Sequence, residues 1–464
     1  MNPGDAVCSF VPPFLLERLG TVAAEDTLEQ DALFRAARRE TSLGAASAAP
    51  PPSMIAAQPW SVHSAGNGTS LPGALVRRPD GPVSGDAAVD EAAYGGSASL
   101  DLFREVFGRS SFDGAGAEVV MTVHYGRNYD NAFWNGTQLV FGDGDGRIFD
   151  RFTKPVDVLG HELTHAVTER TAGLVYLDQS GALNESISDV FASCLKQRLR
   201  DQTTDQADWL IGEGLFLPGI QARALRDMAS PGTAYDDPQL GHDPQVGHLA
   251  DYVETTSDNG GVHTNSGIPN RAFQLAAVAI GGRSWEGAGA IWYAALTGPA
   301  VSPTTDFSGF AAACIAAAGD HAEVVRSAWL QVGVTPVVGS VQASGVGSAP
   351  ISGVVEVRRT GGFAGITRSR GMDLTRTDSR ATAVRDLVAR IDLSDPPELS
   401  PIADGFVYTF CVPGCADVHI PEHALTDDRT AALEHARECL DKPGGRVVIE
   451  EYLSGPEVSL FCLC

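Results

Sequence analysis

The sequence predicts an α+β protein with a β-rich lobe, then a helical lobe, then a small α+β domain. Short apolar runs broken by glycine, aspartate and asparagine extend from about residue 76 to 141, which is typical of strands and turns. Helical patterns dominate residues 156–332. A stretch rich in Gly, Ser and Val at 337–353 separates them from a further α+β pattern. A chain of 464 residues is long enough to bury several such cores.

Residues 1–55 form a separate N-terminal part in this interpretation. A Pro12-Pro13 turn leads into a polar, alanine-rich helical stretch from Leu15 to Arg39, followed by small residues and prolines at 45–53. Such a stretch is typical of an exposed linker where chains are cleaved. The start has no basic region followed by a long apolar run. We therefore expect synthesis in the cytoplasm without a signal peptide, and non-classical release to the extracellular space stays open.

The remaining chain divides into a β-rich lobe at 56–155, a helical lobe at 156–336, a linker at 337–353 and a domain at 354–464. The most apolar helices of the second lobe are predicted at Ala272–Ile280 and Ala288–Leu296. The last part is about the size of one small domain. Its predicted strands are Val354–Arg359 and Gly405–Val412, and its predicted helices are Ser379–Asp392 and Arg429–Leu440.

Composition excludes some classes of partner. The chain has 33 basic and 58 acidic side chains, a net charge of −25, which argues against nucleic acid and anionic membranes as partners. No window approaches eighteen uninterrupted apolar residues, so no membrane span is expected. The 8 cysteines are scattered and lack the density of a disulfide scaffold, which fits a reducing compartment.

The pattern His161-Glu162-x-x-His165 is the most informative feature of the sequence. On a helix the two histidines share a face one turn apart, so both imidazoles can reach one metal ion. Glu185 follows twenty residues after the second histidine. Two neutral imidazoles and one carboxylate bind zinc with a position left open for water, the arrangement of a hydrolytic site.

Six motifs follow in order: NAFWNG at 131–136, GDGDG at 142–146, HELTHAV at 161–167, AGLVY at 172–176, NESISD at 184–189 and DNGGVH at 258–263. In this order they resemble the thermolysin family of zinc metallopeptidases, and within it the protealysin-like branch. The resemblance covers about residues 70–336 and implies a two-lobed metallopeptidase fold. It also implies a zinc endopeptidase with one catalytic Zn²⁺ and a peptide or protein substrate.

The resemblance assigns roles to residues at the site. Zinc held by His161, His165 and Glu185 brings the pKa of a bound water towards neutrality. Glu162 is the implied general base. Tyr176 and His263 are implied to stabilise the oxyanion, with Asp258 fixing the imidazole of His263. Asp189 is the implied acceptor for the second ring nitrogen of His161.

Substrate-binding residues follow from the same resemblance. Asn131 and Ala132 look like the strand edge that pairs with the substrate backbone. Arg226 resembles the arginine that binds the carbonyl on the primed side. An apolar pocket would favour cleavage on the amino side of Leu, Phe, Ile or Val; its implied lining is Phe149, Phe152, Val158, Ile211 and Leu225.

One departure from the family concerns calcium. The positions that match its double-calcium site are Asp157, Lys196, Asp208, Leu210 and Glu213. Calcium prefers six to eight oxygen ligands, which this set no longer supplies, so the double Ca²⁺ site is predicted to be lost. We expect the ammonium of Lys196 to replace the ion and to bridge Asp157 and Glu213. Asp143 and Asp145 leave a weaker calcium site open, although an ordinary turn fits them better.

Both ends of the chain resemble regulatory parts of protealysin-like precursors. Residues 8–16, CSFVPPFLL, resemble their short propeptide. Two alternatives stay open: Cys8 supplies a thiolate to the open zinc position, or it packs while Pro12-Pro13-Phe14 docks in or near the cleft. Maturation is expected between Ala45 and Pro59, with Met54 or Ile55 as the new first residue.

The tail resembles emfourin, a small protein inhibitor of protealysin-like enzymes, over VEVRRTGGFAG at 355–365 and near Phe406-Val407-Tyr408. An inhibitor tethered in this way acts at an effective concentration of roughly the millimolar order. The alternative is an accessory domain that binds substrate or a surface.

A protein that keeps the protease fold only for binding is a further alternative, but Glu162, Tyr176 and His263 are all retained. A toxin-like effector with the same activity would differ only in destination.

Overall fold

The computed structural model describes the backbone of residues 8–41 and 59–336 and of four later strands, and the side chains of residues 9–31 and 59–336. The chain forms two compact units, Asn2–Ser340 and Val341–Cys464. The predicted linkers at 45–53 and 337–353, the maturation site, and the predicted helices Ser379–Asp392 and Arg429–Leu440 lie outside the described residues.

The N-terminal segment, residues 8–41, consists of a short strand and two helices. They are β1 (Cys8–Ser9), α1 (Pro13–Leu19) and α2 (Val22–Thr41). The single helical stretch predicted for this part is therefore divided. Gly20 adopts φ 54°, and its N–H bonds Leu16 O, which ends α1 in the left-handed region that glycine favours.

A six-stranded mixed sheet forms the first lobe, in the order β1-β5-β6-β4-β2-β3. Its remaining strands are β2 (Trp60–Ser64), β3 (Ala74–Arg77), β4 (Val119–Val123), β5 (Ala132–Trp134) and β6 (Leu139–Phe141). β1 extends the edge of β5 in antiparallel register, with Cys8 opposite Trp134 and Ser9 opposite Phe133. The N-terminal segment is thus an added strand of this sheet.

The prediction of strands and turns was wrong for α3 (Ala87–Phe107), which is a long helix in the first lobe. Asp86 caps its N-terminus by accepting from the backbone N–H groups of Ala88 and Val89. Many of its positions are alanine, the best helix former. A Cβ at Gly96 would lie 2.4 Å from Met121 Sδ, so this face packs directly on the sheet. Tertiary packing on β4 thus complements the helix propensity of α3.

Helices dominate the second lobe, as predicted. They are α4 (Val156–Glu169), α5 (Asp178–Leu199), α6 (Asp258–Asn265), α7 (Gly267–Ile280), α8 (Ala288–Thr297), α9 (Phe307–Ala317) and α10 (Ala322–Gln331). Between α5 and α6 lie four two-residue strands, β7 (Leu210–Ile211), β8 (Arg226–Asp227), β9 (Asp236–Asp237) and β10 (Gly241–His242). A Cβ at Gly160 would lie 2.9 Å from Leu195 Cδ2, so α4 and α5 pack closely. None of the helices that the structure describes is long and apolar enough to cross a membrane.

The second unit contains a four-stranded antiparallel sheet in the order β12-β11-β13-β14. The strands are β11 (Val354–Gly361), β12 (Arg368–Asp373), β13 (Phe406–Cys411) and β14 (Val418–Pro421). β11 and β13 confirm the two predicted strands of this domain. β12 and β14 were not predicted from the sequence.

Candidate metal centre and substrate cleft

Three buried side chains from two packed helices converge on one point. His161 and His165 project from α4, and Glu185 projects from α5. Their candidate ligand atoms all lie within 4.8 Å of one another. The Nε2 atoms of the two histidines are 2.9 Å apart, and oxygens of Glu185 lie 3.5 and 3.6 Å from them. The structure therefore brings together the three predicted metal ligands.

Hydrogen bonds behind the histidines fix the orientation of both rings. Nδ1 of His161 lies 2.9 Å from Asp189 Oδ1, and Nδ1 of His165 lies 2.8 Å from Asn184 Oδ1. Ser188 Oγ also lies 3.0 Å from Nδ1 of His165. Because each Nδ1 is engaged, each Nε2 faces the shared centre. The sequence predicted the contact of Asp189, whereas Asn184 and Ser188 had no assigned role.

The donor set fits a divalent metal. Burial alone would raise the pKa of Glu185, but the facing rings of His263 and His161 hold it well below its usual range. A buried, ionised carboxylate beside two imidazoles has the charge and ligand types that zinc takes. With three protein ligands, such a centre keeps a position for a reacting molecule.

Glu162 lies beside this centre on α4 and is not one of the converging ligands. Its side chain is completely buried. Burial raises the pKa of Glu162 to about 8, although His161 acts in the opposite direction. A carboxylate whose pKa lies near neutrality is suited to accept and return a proton.

A histidine and a tyrosine face the same centre. Asp258 Oδ1 lies 2.7 Å from His263 Nδ1. Burial lowers the pKa of His263, but Asp258 and Glu185 raise it to about 9. The Tyr176 hydroxyl donates to Glu185 and lies 3.3 Å from His263 Nε2. His263 is therefore a charged donor beside the metal centre.

The DNGGVH motif reaches this position through an unusual backbone. Residues 258–261 all have positive φ, so regular helix begins only after Gly261. A Cβ at Gly260 would lie 2.2 Å from Asp178 Oδ1, so only glycine fits this approach of α6 to α5.

The N-terminal segment lies in the cleft beside the centre. Phe10 donates its N–H to Ala132 O at 3.0 Å, and Val11 donates to Asn131 Oδ1 at 2.8 Å. Asn131 Nδ2 in turn donates to Val11 O at 3.3 Å. Arg226 donates to Phe10 O at 3.1 Å. The residues predicted to bind substrate backbone thus bind residues 10 and 11 of the same chain.

Phe10 is a cleft-binding residue that was not predicted from the sequence. Its ring is completely buried and packs edge-on against His161, with centroids 5.1 Å apart. A Cβ at Gly212 would lie 3.4 Å from the Phe10 ring and 3.2 Å from Leu225 Cβ, so the ring enters the predicted pocket from that side. All five predicted lining residues belong to the same buried apolar cluster as Phe10: Phe149, Phe152, Val158, Ile211 and Leu225.

The prediction that Pro12-Pro13-Phe14 docks in or near the cleft is sharpened by the structure: these residues follow directly after the two that bind the cleft. Phe10 and Val11 occupy the cleft, and Phe14 is only partly buried at the start of α1. The proline turn lets the chain leave the cleft, since proline fixes φ and lacks an N–H for strand pairing. The Cys8 side chain lies outside the described residues, so both alternatives for it stay predictions.

A buried carboxylate anchors α2 beside the cleft. Asp31 is 1% exposed and accepts from the Tyr129 hydroxyl and, at 3.1 Å, from Asn131 Nδ2. Thr27 Oγ1 accepts from the N–H of Asp130 at 3.0 Å. Asn131 therefore contacts both the extended part of the N-terminal segment and its second helix.

Lys196, on α5, lies in a cluster of acidic residues. Its Nζ contacts Asp208 Oδ1 and Leu210 O, each at 2.7 Å. Asp157 and Glu213, the two partners that the sequence predicted, are both 3.7 Å away. The shortest ion pair is thus with Asp208, which lies two residues before Leu210 at the start of β7.

Family comparisons cover most of the chain. Residues 54–169 match the catalytic domain of the thermolysin metallopeptidases, and residues 172–334 match their alpha-helical domain. Residues 357–437 match emfourin.

Individual relatives agree with these matches. The chain is 49% identical over 338 residues to the extracellular metalloprotease of Pectobacterium carotovorum subsp. carotovorum, covering 71% of this chain and 96% of the relative. It is 44% identical over 263 residues to thermolysin of Alicyclobacillus acidocaldarius subsp. acidocaldarius, covering 55% of this chain and 46% of that protein. The solved precursor of protealysin, a metalloproteinase from Serratia proteamaculans, superposes with a TM-score of 0.63 at 46% identity. This match covers 71% of the chain and all of the precursor.

Proposed function

Because the chain belongs to the thermolysin family and is a thermolysin-like metalloendopeptidase, we propose that it cleaves peptide bonds on the amino side of large apolar residues. One observation carries this proposal. Phe10 is bound by Ala132 and Arg226 through its backbone while its ring enters the apolar pocket. The N-terminal segment therefore supports a substrate that binds with an extended backbone and a large apolar side chain in the pocket.

Zinc is the metal that this donor set favours, with His161, His165 and Glu185 as its ligands. Bound there, zinc supplies Lewis acidity and lowers the pKa of water. Asp189, Asn184 and Ser188 hold the two imidazoles in the tautomer that offers Nε2 to the metal.

Proton transfer is assigned to Glu162. Its raised pKa suits a carboxylate that takes a proton from water and delivers it to the leaving amine. His263 and Tyr176 are assigned to stabilise the carbonyl oxygen as it gains negative charge, which the 2.9 Å contact of His263 Nε2 with the Ser9 carbonyl and the neighbouring Tyr176 hydroxyl support. Asp258 orients that ring and keeps it protonated.

Substrate orientation is assigned to three groups. Asn131 and Ala132 pair with the extended backbone, and Arg226 binds the carbonyl that follows the pocket residue. Asp189 accepts two hydrogen bonds from Arg226, at 2.8 and 2.7 Å, and also binds His161. One carboxylate therefore aligns the substrate-binding arginine with a metal ligand.

The N-terminal segment is proposed to keep the enzyme latent as a propeptide. It occupies the backbone-binding groups and the apolar pocket at once, so a substrate has to displace it. Asp31 and Thr27 add a second attachment outside the cleft. The solved relative is itself named a precursor, which supports this role.

The C-terminal domain is proposed to act as a tethered inhibitor, because residues 357–437 match emfourin.

The loss of the double calcium site is also proposed, with Lys196 as the cation in its place. Release from the cell after synthesis in the cytoplasm fits a relative that is named extracellular.

The test is a peptidase assay with mass spectrometry of the products, using the purified full chain with zinc. Because the N-terminal segment and the C-terminal domain restrain the full chain, we expect slow cleavage before Leu, Phe, Ile or Val by the wild type, and none with Glu162→Ala. Both proteins are expected to hold about one zinc, because Glu162 is not a ligand. Glu118→Ala, an exposed glutamate of the β-rich lobe outside the metal centre, is the control. Equal activity of Glu162→Ala, or preference for charged residues after the cleaved bond, would contradict the proposal.

A further inference from the structure

The N-terminal segment crosses the centre with one particular peptide bond next to the reacting groups. The carbonyl oxygen of Ser9 lies 2.9 Å from His263 Nε2, the donor proposed for the oxyanion. The next carbonyl, of Phe10, is bound by Arg226 on the far side. The bond between these two positions joins Ser9 to Phe10.

The side chains agree with this register. Phe10 enters the apolar pocket, so the residue after the Ser9–Phe10 bond is of the type proposed for substrates. Asn131 accepts from the N–H of Val11 and donates to the carbonyl oxygen of Val11. A chain that avoided cleavage could place proline directly after the bond. Here the prolines come later, at positions 12 and 13, where they leave the Ser9–Phe10 bond unprotected.

We propose that Ser9–Phe10 is a self-cleavage site, so that the N-terminal segment is a slow substrate of the enzyme that it covers. This inference rests on the proposed peptidase function. Water adds its oxygen to the Ser9 carbonyl carbon, and the C–N bond to Phe10 breaks. Ser9 ends as a carboxylate and Phe10 as an ammonium group, which takes the two hydrogens of water.

We expect cleavage of the Ser9–Phe10 bond to be slow, because both cleavage products remain bound to the protein. β1 pairs with β5 on the Ser9 side, with Cys8 opposite Trp134. On the Phe10 side, Asn131 and the buried Asp31 hold the rest of the segment. The new amine therefore stays beside the new carboxylate, which favours re-formation of the bond over release of the products.

The side chain of Phe10 offers the sharpest test. Phe10→Leu keeps an apolar residue for the pocket, whereas Phe10→Asp would bury a charge there. Val22→Asp is the matched control, because Val22 is 74% exposed on α2 and outside the cleft. Each full-length, zinc-loaded protein is incubated and analysed by intact mass and N-terminal sequencing over time.

We expect a species that begins at Phe10 in the wild type, Phe10→Leu and Val22→Asp, at a rate independent of protein concentration. Glu162→Ala and Phe10→Asp should lack this cut. Hydrogen exchange of the metal-free protein provides a readout that needs no activity. The amides of Phe10 and Val11 should exchange slowly in the wild type and fast in Phe10→Asp, where the segment leaves the cleft.

Two results separate this inference from the proposed function. If full-length Phe10→Asp cleaves an added peptide while the wild-type Ser9–Phe10 bond stays intact, self-cleavage is overturned and the peptidase function stands. If Phe10→Asp cleaves no added peptide even after its C-terminal domain has been separated by cleavage within residues 337–353, the proposed function fails. A cut that depends on protein concentration, or that added wild type makes in Glu162→Ala, also overturns self-cleavage.

Discussion

Asp258 binds His263 through both of its carboxylate oxygens. Oδ1 lies 2.7 Å from the ring Nδ1, and Oδ2 accepts from the backbone N–H of His263 at 3.0 Å. The first contact raises the pKa of the ring and orients it. The second contact fixes the start of the regular part of α6. One aspartate thus determines both the position of the imidazole and the direction in which its Nε2 donates.

Removing this donor should slow catalysis. We expect His263→Ala to lower kcat by about 10²–10³, the usual cost of losing one oxyanion donor. Asp258→Asn should lower kcat less, because the ring remains in place but loses the carboxylate that charges it. Steady-state kinetics on a peptide substrate measure both effects. A change confined to KM would contradict the assignment, and equal zinc content of all proteins is the control.

The attachment of α2 through Asp31 should set the degree of latency. Asp31→Ala leaves the Tyr129 hydroxyl and the Asn131 amide of the cleft without this acceptor, at a cost of about 1–3 kcal/mol in the docked state. Activity of the uncleaved precursor on an added peptide should therefore rise. Glu29→Ala, an exposed acid on the same helix, is the control and should leave latency unchanged.

Removal of the C-terminal domain tests the proposed tethered inhibitor. Cleavage within the 337–353 stretch, followed by separation of the released fragment, should raise peptidase activity, because the inhibitor then loses its high effective concentration. Adding the fragment back should lower activity in a concentration-dependent manner. Lower activity after separation would instead indicate an accessory domain that binds substrate.

Lys196 should contribute strongly to stability. Its side chain is buried, and Lys196→Met removes the ammonium group 3.7 Å from the buried Asp157, whereas Asp208 and Glu213 keep their contacts with Arg200 at 3.0 Å. Breaking a buried ion pair from one side costs about 3–5 kcal/mol. Urea unfolding in the Glu162→Ala background, which prevents self-cleavage, measures the loss.

Calcium provides the control for this cluster. Calcium should leave the melting temperature of the wild type unchanged, whereas Lys196→Glu adds a carboxylate and should gain a calcium-dependent rise. A rise of many degrees in the wild type would contradict the proposed replacement of calcium by lysine.

His124 predicts a pH-dependent contribution to stability. Its ring lies between Asp143, 2.8 Å from Nδ1, and Asp86, 3.0 Å from Nε2. The hydrogen bond to Asp143 is the main cause that raises the pKa of His124 to about 9. Because the folded pKa lies above the unfolded value, this stability is fully present below about pH 6.5 and is lost as the pH rises through about 9.

The free energies of unfolding of wild type and His124→Gln should therefore differ most at pH 6 and converge above pH 9. Both are measured in the Glu162→Ala background. A difference that grows with pH would contradict the assignment, because it would mean that the neutral ring stabilises the fold.

The sequence by itself determined the metal-binding pattern, the family and the general order of the lobes. The spacing of His161 and His165 on a helix is local geometry, so their separation by four positions was enough to predict that they bind the same metal ion. The helix α3 was missed because apolar runs broken by glycine also fit strands. The close packing of Gly96 on Met121 and of Gly95 on Leu159 explains why those glycines lie within a helix.

The tertiary structure alone decided what fills the cleft. Nothing in the local pattern of residues 8–16 indicates which residue meets the centre, because that depends on the register of β1 against β5, set more than a hundred residues away. A shift by one residue would point Phe10 away from its pocket. The same holds for Lys196, whose shortest contact to Asp208 depends on a loop folding back onto α5. Long-range register and loop closure are fixed by packing, and the sequence specifies them only through the complete fold.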